Sequence, residues 1–379
     1  MKKMLTIALA VILTTVGLAG CSGESQNSPD IILITDKGNI DDKSFNQGSW
    51  GGVVEFASRE KISHAYIKPE EASFTGYLAA IDLAVASGAK VVITPGFLFE
   101  VPIYEAQTKY PNIKFILLDG APHNADFSVY ETKENVASIL YAEEQSGYLA
   151  GYAAVMDGMT SLGFMGGMAV PAVQAFGYGY LFGAESAARQ MGFADGAIKA
   201  IYHYTGDFEE NDANTAMAKA MYQEGVEVIF ACGGSVGKSV MTAASAAHGK
   251  VIGVDVDQRY DSETVITSAT KGLAASVISV LESIYKTDSW ATFSGKTIVF
   301  DASNNGVGLP TVVIGDDQAN AFDRFISFNK NAYDEVFASL ADGSIKPVRE
   351  IKVAHPSGFA SAEELTTQLN LTKVSVTTR

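Results

Sequence analysis

The sequence is poor in cysteine, histidine and positive charge, and each shortage excludes a class of protein. Two cysteines, Cys21 and Cys232, are too few for a disulfide framework. Five scattered histidines leave little material for a zinc site, so we expect no metal and no cofactor. Against 43 acidic residues there are only 27 basic ones, a formal net charge of −16. Such a chain gains nothing from counterion release, and we expect no nucleic-acid partner.

Apolar residues are not scarce, since they make up 47% of the 379 residues. That fraction is typical of a packed globular protein. A single hydrophobic core rarely grows past about 250–300 residues, so the length predicts two lobes.

The start of the chain has the pattern of a secretory signal peptide. Lys2 and Lys3 precede a short apolar run that ends in Leu-Ala-Gly-Cys, which resembles the bacterial lipobox. We predict a signal peptide over residues 1–20, lipidation of Cys21, and a polar tether over residues 21–29. Cleavage would leave 25 basic and 43 acidic residues, a charge of −18. An uncleaved anchor is the alternative.

Strand and helix patterns alternate along the rest of the chain in two similar series. Short apolar runs predict strands at 31–35, 65–67, 91–94, 115–118, 162–165, 197–204, 226–231, 251–254, 264–267, 297–300 and 311–314. Helical patterns are found at 44–59, 77–87, 101–110, 142–156, 176–191, 211–224, 236–248, 272–285 and 331–342. This alternation predicts an α/β protein with two doubly wound, Rossmann-like lobes.

The two series suggest where the lobes divide. We assign residues 30–125 plus 255–287 to an N-terminal lobe, and residues 126–254 plus 288–350 to a C-terminal lobe. Several crossings between the lobes would act as a hinge. The polar tail, residues 351–379, has no place in either series.

Acidic and small residues follow several of the predicted strands. They include Asp36, Asp119, Asp255 and the pair Gly233-Gly234. Open α/β sheets bind ligands at the carboxyl ends of their strands. We therefore expect these residues to converge in a cleft between the lobes.

The densest polar segment, residues 35–47, directly follows the first predicted strand. Its simplest interpretation is a solvated loop in which Asp42 or Ser44 caps the next helix. Phe45 stands out, because an aromatic ring at a helix start beside carboxylates can form a platform for a flat ligand.

This segment, Thr-Asp-x-Gly-x-Ile-Asp-Asp-Lys-Ser-Phe-Asn-Gln, resembles the signature of the basic membrane protein family. Members are bacterial lipoproteins that serve ABC transporters and include purine-nucleoside receptors. Further matching segments follow in order: Pro171 with Phe176 and Gly179-Tyr180, then 232–234, 252–258, 267–271 and 306–310. The resemblance covers about residues 30 to 350 and implies the periplasmic-binding-protein type I fold.

The resemblance also implies how a purine nucleoside (guanosine, inosine or adenosine) would be held. It places Asp36 near the edge of the base, with Asn46 in its vicinity. It places Phe45 on one face of the base and Phe176 on the other, and stacking is worth about 1–3 kcal/mol per base. A single helical aromatic such as Phe176 can equally belong to the core, and both interpretations stay open.

The remaining implied contacts concern the polar atoms of the ligand. The resemblance directs Asp119 toward them and places Gly233, Gly234, Asp255 and Lys271 around the ribose hydroxyls. A carboxylate can accept both hydrogen bonds of a cis-diol. Lys271 would help to keep Asp255 ionised in a closed cleft.

The function implied is that of a monomeric, lipid-anchored substrate-binding protein on the extracytoplasmic face of the cell membrane. Its partners would be an ABC permease and ATPase, and it would catalyse no reaction. One alternative is a surface nucleoside hydrolase, although the sequence shows no aspartate cluster suited to calcium. Others are a receptor of the same fold for riboflavin or a sugar, and a sensory lipoprotein.

Overall fold

Two β-sheets form the framework of the protein in a computed structural model that describes residues 28–313, 320–349 and 361–379. The predicted signal peptide, Cys21 and most of the predicted tether lie outside the described residues. Within those ranges, none of the helices is long and apolar enough to cross a membrane.

The first sheet has six parallel strands in the order β11-β5-β4-β3-β1-β2. Their bounds are β1 (Ile31–Ile34), β2 (His64–Ile67), β3 (Val91–Pro95), β4 (Lys114–Leu118), β5 (Val136–Tyr141) and β11 (Lys296–Phe300). The helices on this side are α1 (Phe45–Glu60), α2 (Phe74–Ala86), α3 (Glu100–Lys109) and α8 (Leu273–Tyr285).

The second sheet has seven strands in the order β12-β10-β9-β8-β6-β7-β13, and only the short β12 is antiparallel to its neighbour. Their bounds are β6 (Ser161–Gly166), β7 (Ile198–Tyr204), β8 (Val228–Cys232), β9 (Lys250–Asp255), β10 (Val265–Lys271), β12 (Val307–Gly308) and β13 (Val374–Thr378). The accompanying helices are α4 (Glu143–Met156), α5 (Pro171–Gln190), α6 (Asp212–Gln223), α7 (Val236–Ala247), α9 (Lys330–Ala341) and α10 (Ala362–Gln368).

Strand β1 shows why the central strands are continuous apolar runs. Ile31 and Leu33 belong to the cluster that includes α1, whereas Ile32 and Ile34 point to the opposite face, toward α2 and α3. All four side chains are buried. Burying each one contributes roughly 1.5–3 kcal/mol, so a strand covered on both faces cannot alternate apolar and polar residues.

The architecture confirms the predicted fold class of two parallel sheets flanked by helices. The strand pairing differs from the expected division of the chain at all three boundaries between the lobes. Strand β5, which we did not predict, and β11 belong to the first sheet, whereas β10 pairs with β9 in the second. The chain therefore crosses between the sheets at Ala142, at Gly272 and over residues 301–306. Over 311–313, the predicted strand is reduced to a single bridge at Val313.

The end of the chain, which we could not place, extends the second sheet. Strand β13 pairs in parallel with β7, the strand that would otherwise form the edge. The buried carboxylate of Glu185 accepts hydrogen bonds from the backbone N–H groups of Thr372, Lys373 and Val374 at 2.7–3.2 Å. These bonds fix where the final strand begins. Residues 351–360 lie outside the described part.

Candidate functional site

A cavity lies between the carboxyl ends of the two sheets. The empty space between its walls, counted together with the open solvent at its mouth, is about 770 Å³. The structure brings all nine residues predicted from the sequence to its walls: Asp36, Phe45, Asn46, Asp119, Phe176, Gly233, Gly234, Asp255 and Lys271. Their contacts with a ligand stay a prediction.

The wall from the first sheet is organised by Asn46, in the first turn of α1. Its Nδ2 donates to Asp36 Oδ1 at 2.8 Å and to Asp42 Oδ2 at 2.9 Å, while its Oδ1 accepts from the Asp36 N–H. Asp42 also accepts from the N–H groups of Ser44, Asn46 and Gln47, whereas the N-cap position itself is held by Ser44, whose side chain makes no capping hydrogen bond. The polar atoms of Asn46 are thus already paired, and its role is to position Asp36.

Asp36 presents one carboxylate oxygen to the cavity. Oδ1 is held by Asn46 and by the Gly38 N–H at 2.8 Å. Oδ2 lies beside Gly96, whose φ of +113° and lack of a Cβ allow the approach. Burial raises the pKa of Asp36 to about 6, although the bonds from Asn46 and Gly38 oppose the shift. Asp36 is therefore an acceptor whose charge changes close to neutral pH.

Lys271, at the end of β10, places a buried ammonium in the middle of the site. Its Nζ lies 2.5 Å from Asp119 Oδ2, 3.3 Å from Glu143 Oε1 and 3.7 Å from Asp255 Oδ1. Burial alone would lower the pKa of Lys271, but the three carboxylates raise it above its ordinary value. Its nearest partner is Asp119, from the other sheet, and Asp255 is the most distant of the three carboxylates.

Asp119 and Asp255 occupy matching positions at the ends of β4 and β9. Both have left-handed backbones, with φ of +57° and +66°, a conformation that is rare outside glycine and concentrated at functional sites. Asp119 Oδ1 is buried and has no hydrogen-bond partner among the described residues, and burial raises its pKa to about 7 despite Lys271. Asp255 Oδ2 accepts from Ser44 Oγ at 2.5 Å, and burial raises its pKa as well.

Four phenylalanines line the cavity: Phe45, Phe97, Phe176 and Phe208. The rings of Phe45, from α1, and Phe176, from α5, both lie near Lys271 Nζ, at 4.8 and 5.3 Å. Phe176 is 1% exposed and makes an edge-to-face contact with Phe230 at 5.8 Å, so it is a core residue that also reaches the cavity wall. Phe208, in the loop after β7, also lines the cavity, although no pattern in the sequence indicates it.

The glycine pair lies in the loop after β8. A Cβ on Gly233 would come within 2.7 Å of the backbone nitrogen of Gly167, and Gly234 has a φ of +54°. Larger residues would therefore displace this loop from the wall. Cys232, just before the pair, is a buried free thiol whose pKa is raised by burial. No cluster of ligands suited to a metal ion is found in the described part of the chain.

Several lining residues were missed by the sequence analysis as site residues: Gly38, Asp42, Gly96, Phe97, Leu98, Val170, Pro171, Ala172, Val173, Phe208, Cys232, Ser235 and Val254. Gly96 follows a buried strand and could have been included on that basis. The other residues come from loops, from the first turn of α5 and from the ends of β8 and β9, and the sequence does not specify that these positions face the cavity.

Solved structures with this architecture include ABC transporter solute-binding proteins. One from Aeropyrum pernix K1 has a TM-score of 0.75 and 22% sequence identity, covering 91% of this chain and 99% of that one. Another, from Conexibacter woesei, has a TM-score of 0.63 at 22% identity, covering 87% and 99%. At this identity the likeness shows the fold, which is that of the two-lobed solute-binding proteins.

Sequence comparison gives the family. Residues 30–340 match the Bmp family, described as ABC transporter substrate-binding protein PnrA-like, and the chain belongs to this family. The ABC transporter nucleoside-binding protein BmpA of Lactococcus lactis is 30% identical over 342 residues, or 82% of this chain and 92% of that protein. Basic membrane protein A of Borreliella burgdorferi is 28% identical over 311 residues, covering 80% and 86%. The predicted family is confirmed, and the chain is an ABC transporter substrate-binding protein.

Proposed function

We propose that the protein binds a purine nucleoside in the cavity between its sheets and delivers it to an ABC permease. The observation that carries the proposal is the combination of phenyl rings and carboxylates around one cavity, among them Asp119, whose Oδ1 has no hydrogen-bond partner in the described residues. A nucleoside combines a flat base with several hydrogen-bond donors. The base matches the phenyl rings, and the donors match the carboxylates.

The base would lie between Phe45 and Phe176. Both ring centroids lie about 5 Å from the same ammonium, so the rings are no more than about 10 Å apart. A flat ring between them can be within about 4.5–7 Å of each centroid, the range of aromatic stacking. Asp36 Oδ2 would accept a hydrogen bond from a donor on the edge of the base.

The ribose would lie beside the glycine loop. Asp255 would accept hydrogen bonds from the diol, and Gly233 and Gly234 would let the sugar approach the backbone. Asp119 Oδ1, buried without a partner among the described residues, would take a further ligand donor. Leaving that oxygen unpaired costs roughly 1–3 kcal/mol, so a donor there would contribute to affinity.

The name of the Lactococcus lactis relative, a nucleoside-binding protein, supports this choice of ligand. Membership of an ABC transporter family supports delivery to a permease and ATPase on the extracytoplasmic side. We place the protein at the outer face of the membrane, anchored through Cys21, which lies outside the described residues.

Calorimetry on the purified protein tests the ligand, after bound small molecules have been removed by unfolding and refolding. Guanosine, inosine and adenosine are expected to bind with micromolar or lower dissociation constants, and free base and ribose much more weakly. Tight binding of riboflavin or a sugar without any nucleoside binding would disprove the proposal.

The same protein is expected to leave its ligand chemically intact. After hours of incubation with inosine, chromatography is expected to return only the nucleoside. Release of free hypoxanthine that is lost in Asp36→Asn or Asp255→Asn would instead identify a hydrolase.

A further inference from the structure

Glu143 lies behind the cavity and has no part in the proposed ligand contacts. It is the first residue of α4, immediately after the crossing at Ala142, and is 5% exposed. The cation beside it is Lys271, whose Nζ lies 3.3 Å from Glu143 Oε1. Lys271 itself immediately precedes the second crossing, at Gly272. The pair therefore joins two of the segments that connect the sheets.

Because of this position, we expect opening of the cleft to keep one of the two shortest contacts of Lys271 and to break the other. Atoms next to a hinge move least when two rigid bodies rotate about it. The Gly272 N–H also donates to Gly306 O at 2.8 Å, which ties the second crossing to the third. The contact with Glu143 is thus maintained on opening. The contact with Asp119, at the end of β4 in the other sheet, spans the cleft and breaks.

The charges of Glu143 and Asp119 oppose each other in this structure, in which Lys271 contacts Asp119 across the cleft and which we call the closed state. Both carboxylates contact the same ammonium, and neither side chain is more than a tenth exposed. Where both carboxylates are ionised, like charges in such a poorly solvated site repel more strongly than in water, and this repulsion is one cause of the raised pKa of Asp119. In the open state Asp119 has moved away and only the attraction between Glu143 and Lys271 remains. The charge on Glu143 therefore favours the open cleft.

We propose that Glu143 is a positioning residue that retains the Lys271 ammonium on the hinge side and keeps the empty cleft open for ligand. Without this charge, Asp119 becomes the strongest partner of Lys271 and the cleft closes before a ligand has entered. The consequence for a ligand is slower association. This inference rests on the proposed function for its ligand, but the shape of the empty protein is independent of what the ligand is.

The chain offers a matched control in the next residue. Glu144 is also buried, also lies in the first turn of α4 and also has a cation, Arg349, at 3.2 Å. It is not one of the carboxylates that contact Lys271. Glu144→Gln therefore removes a buried charge from the same turn without changing the contacts of the ammonium.

The first test is small-angle X-ray scattering of the ligand-free protein. Wild type and Glu144→Gln are expected to have the larger radius of gyration of an open cleft. Glu143→Gln is expected to have the smaller radius of the ligand-saturated wild type. Equal radii for wild type and Glu143→Gln, or an equal decrease in both variants, would overturn the proposal.

The second test is stopped-flow association with inosine. Glu143→Gln is expected to slow the association rate constant at least fivefold, with Glu144→Gln within twofold of wild type and Glu143→Asp restoring most of the rate. An unchanged rate in Glu143→Gln would overturn the role. If Glu143→Gln does not fold, Glu143→Asp takes its place as the test. This variant keeps the charge, so its ligand-free form is expected to be open. A closed ligand-free form of Glu143→Asp would overturn the proposal. Failure of wild type to bind inosine refutes the nucleoside proposal, and scattering still tests Glu143.

Discussion

The two walls of the cavity are built on the same architecture but have different chemistry. The wall from the first sheet presents acidic acceptors, Asp36, Asp42 and Asp119, the first two held by hydrogen bonds from Asn46. The wall from the second sheet presents the Lys271 ammonium, a glycine loop and Asp255. One wall therefore has fixed carboxylates, whereas the other has the cation and the close backbone approach. Neither wall is a complete site.

This difference explains which hydrogen bonds and ion pairs join the two walls across the cavity. The ammonium of Lys271 contacts Asp119 across the cavity, and Ser44 Oγ donates to Asp255. Farther out, Gln258 Nε2 donates to the carbonyl oxygen of Lys43 at 2.8 Å. Each of these contacts pairs a group from one wall with a complementary group from the other. The contacts between the walls use the same polar atoms that we propose contact the ligand. Closure of the cleft and binding of the ligand are therefore coupled.

The largest expected effect comes from removing the acidic group of the second wall. Asp255→Ala is expected to weaken inosine binding by roughly 2–4 kcal/mol, because the diol donors are left buried without an acceptor. Calorimetry measures the loss. Asp41→Ala is the control, since Asp41 is exposed and outside the cavity, and we expect normal affinity with at most a small change in melting temperature. Normal binding by Asp255→Ala would remove the diol assignment.

The aromatic rings provide a second comparison between the walls. Phe45 is half-buried, so Phe45→Ala is expected to weaken binding by roughly 1–3 kcal/mol with little loss of stability. Phe176 is fully buried, and Phe176→Ala is expected to lower the free energy of unfolding by about 3–5 kcal/mol as well. Calorimetry and thermal melting separate the two effects. If Phe208→Ala weakens binding more than Phe176→Ala does, Phe208 is the second stacking face.

Much of this arrangement could be predicted from the sequence, for physical reasons that also explain the omissions. A parallel strand buried on both faces is a continuous apolar run, as in Ile31–Ile34, and its carboxyl end leads to the site. Strand β5 was missed because Ser138 interrupts its run. In the structure Ser138 Oγ is buried and donates to Gly120 O at 2.5 Å, which removes the cost of a polar group there.

The contacts between walls could not be predicted in the same way. The position of Glu143 beside Lys271 depends on where the chain crosses between the sheets, and β10 belongs to the second sheet rather than the first. Alternating patterns show that strands and helices follow each other, but they do not show which sheet a strand joins. Phe208 reaches the cavity from a loop without periodicity, so only the folded chain shows its role.

A nucleoside monophosphate tests whether the cavity can accept a negatively charged group. Lys271 is the basic residue among those lining the cavity, and three carboxylates already surround it. Inosine is therefore expected to bind at least tenfold more tightly than inosine monophosphate, a difference of about 1.4 kcal/mol. Competition calorimetry in one buffer measures the ratio. Equal affinities would reveal a cationic subsite that the described residues do not show.

The smallest expected effect concerns the ionisation of Asp36, whose pKa is raised from 3.8 to about 6 in the folded protein. A carboxyl group with a raised pKa contributes stability below its unfolded pKa, and this contribution is lost as pH rises through the folded value. At pH 8, Asp36→Asn is therefore expected to stabilise the ligand-free protein by about 1 kcal/mol, or roughly 2 °C in Tm. The gain is expected to shrink at pH 5, where the wild-type carboxyl is largely protonated.

The same substitution is expected to weaken binding while it raises stability. Asparagine keeps an oxygen for the Gly38 and Asn46 donors but replaces the acceptor at Oδ2 with an amide. Wild-type affinity for inosine is expected to fall as pH drops through about 6, because protonation removes the charged acceptor. In Asp36→Asn the affinity is expected to be lower and to lose this part of its pH dependence. Calorimetry from pH 5.5 to 8 measures the affinity and its pH dependence in each protein. An identical pH profile in the two proteins would assign the titration to another carboxyl group. Asp119 is then the first candidate, because its pKa is raised to about 7.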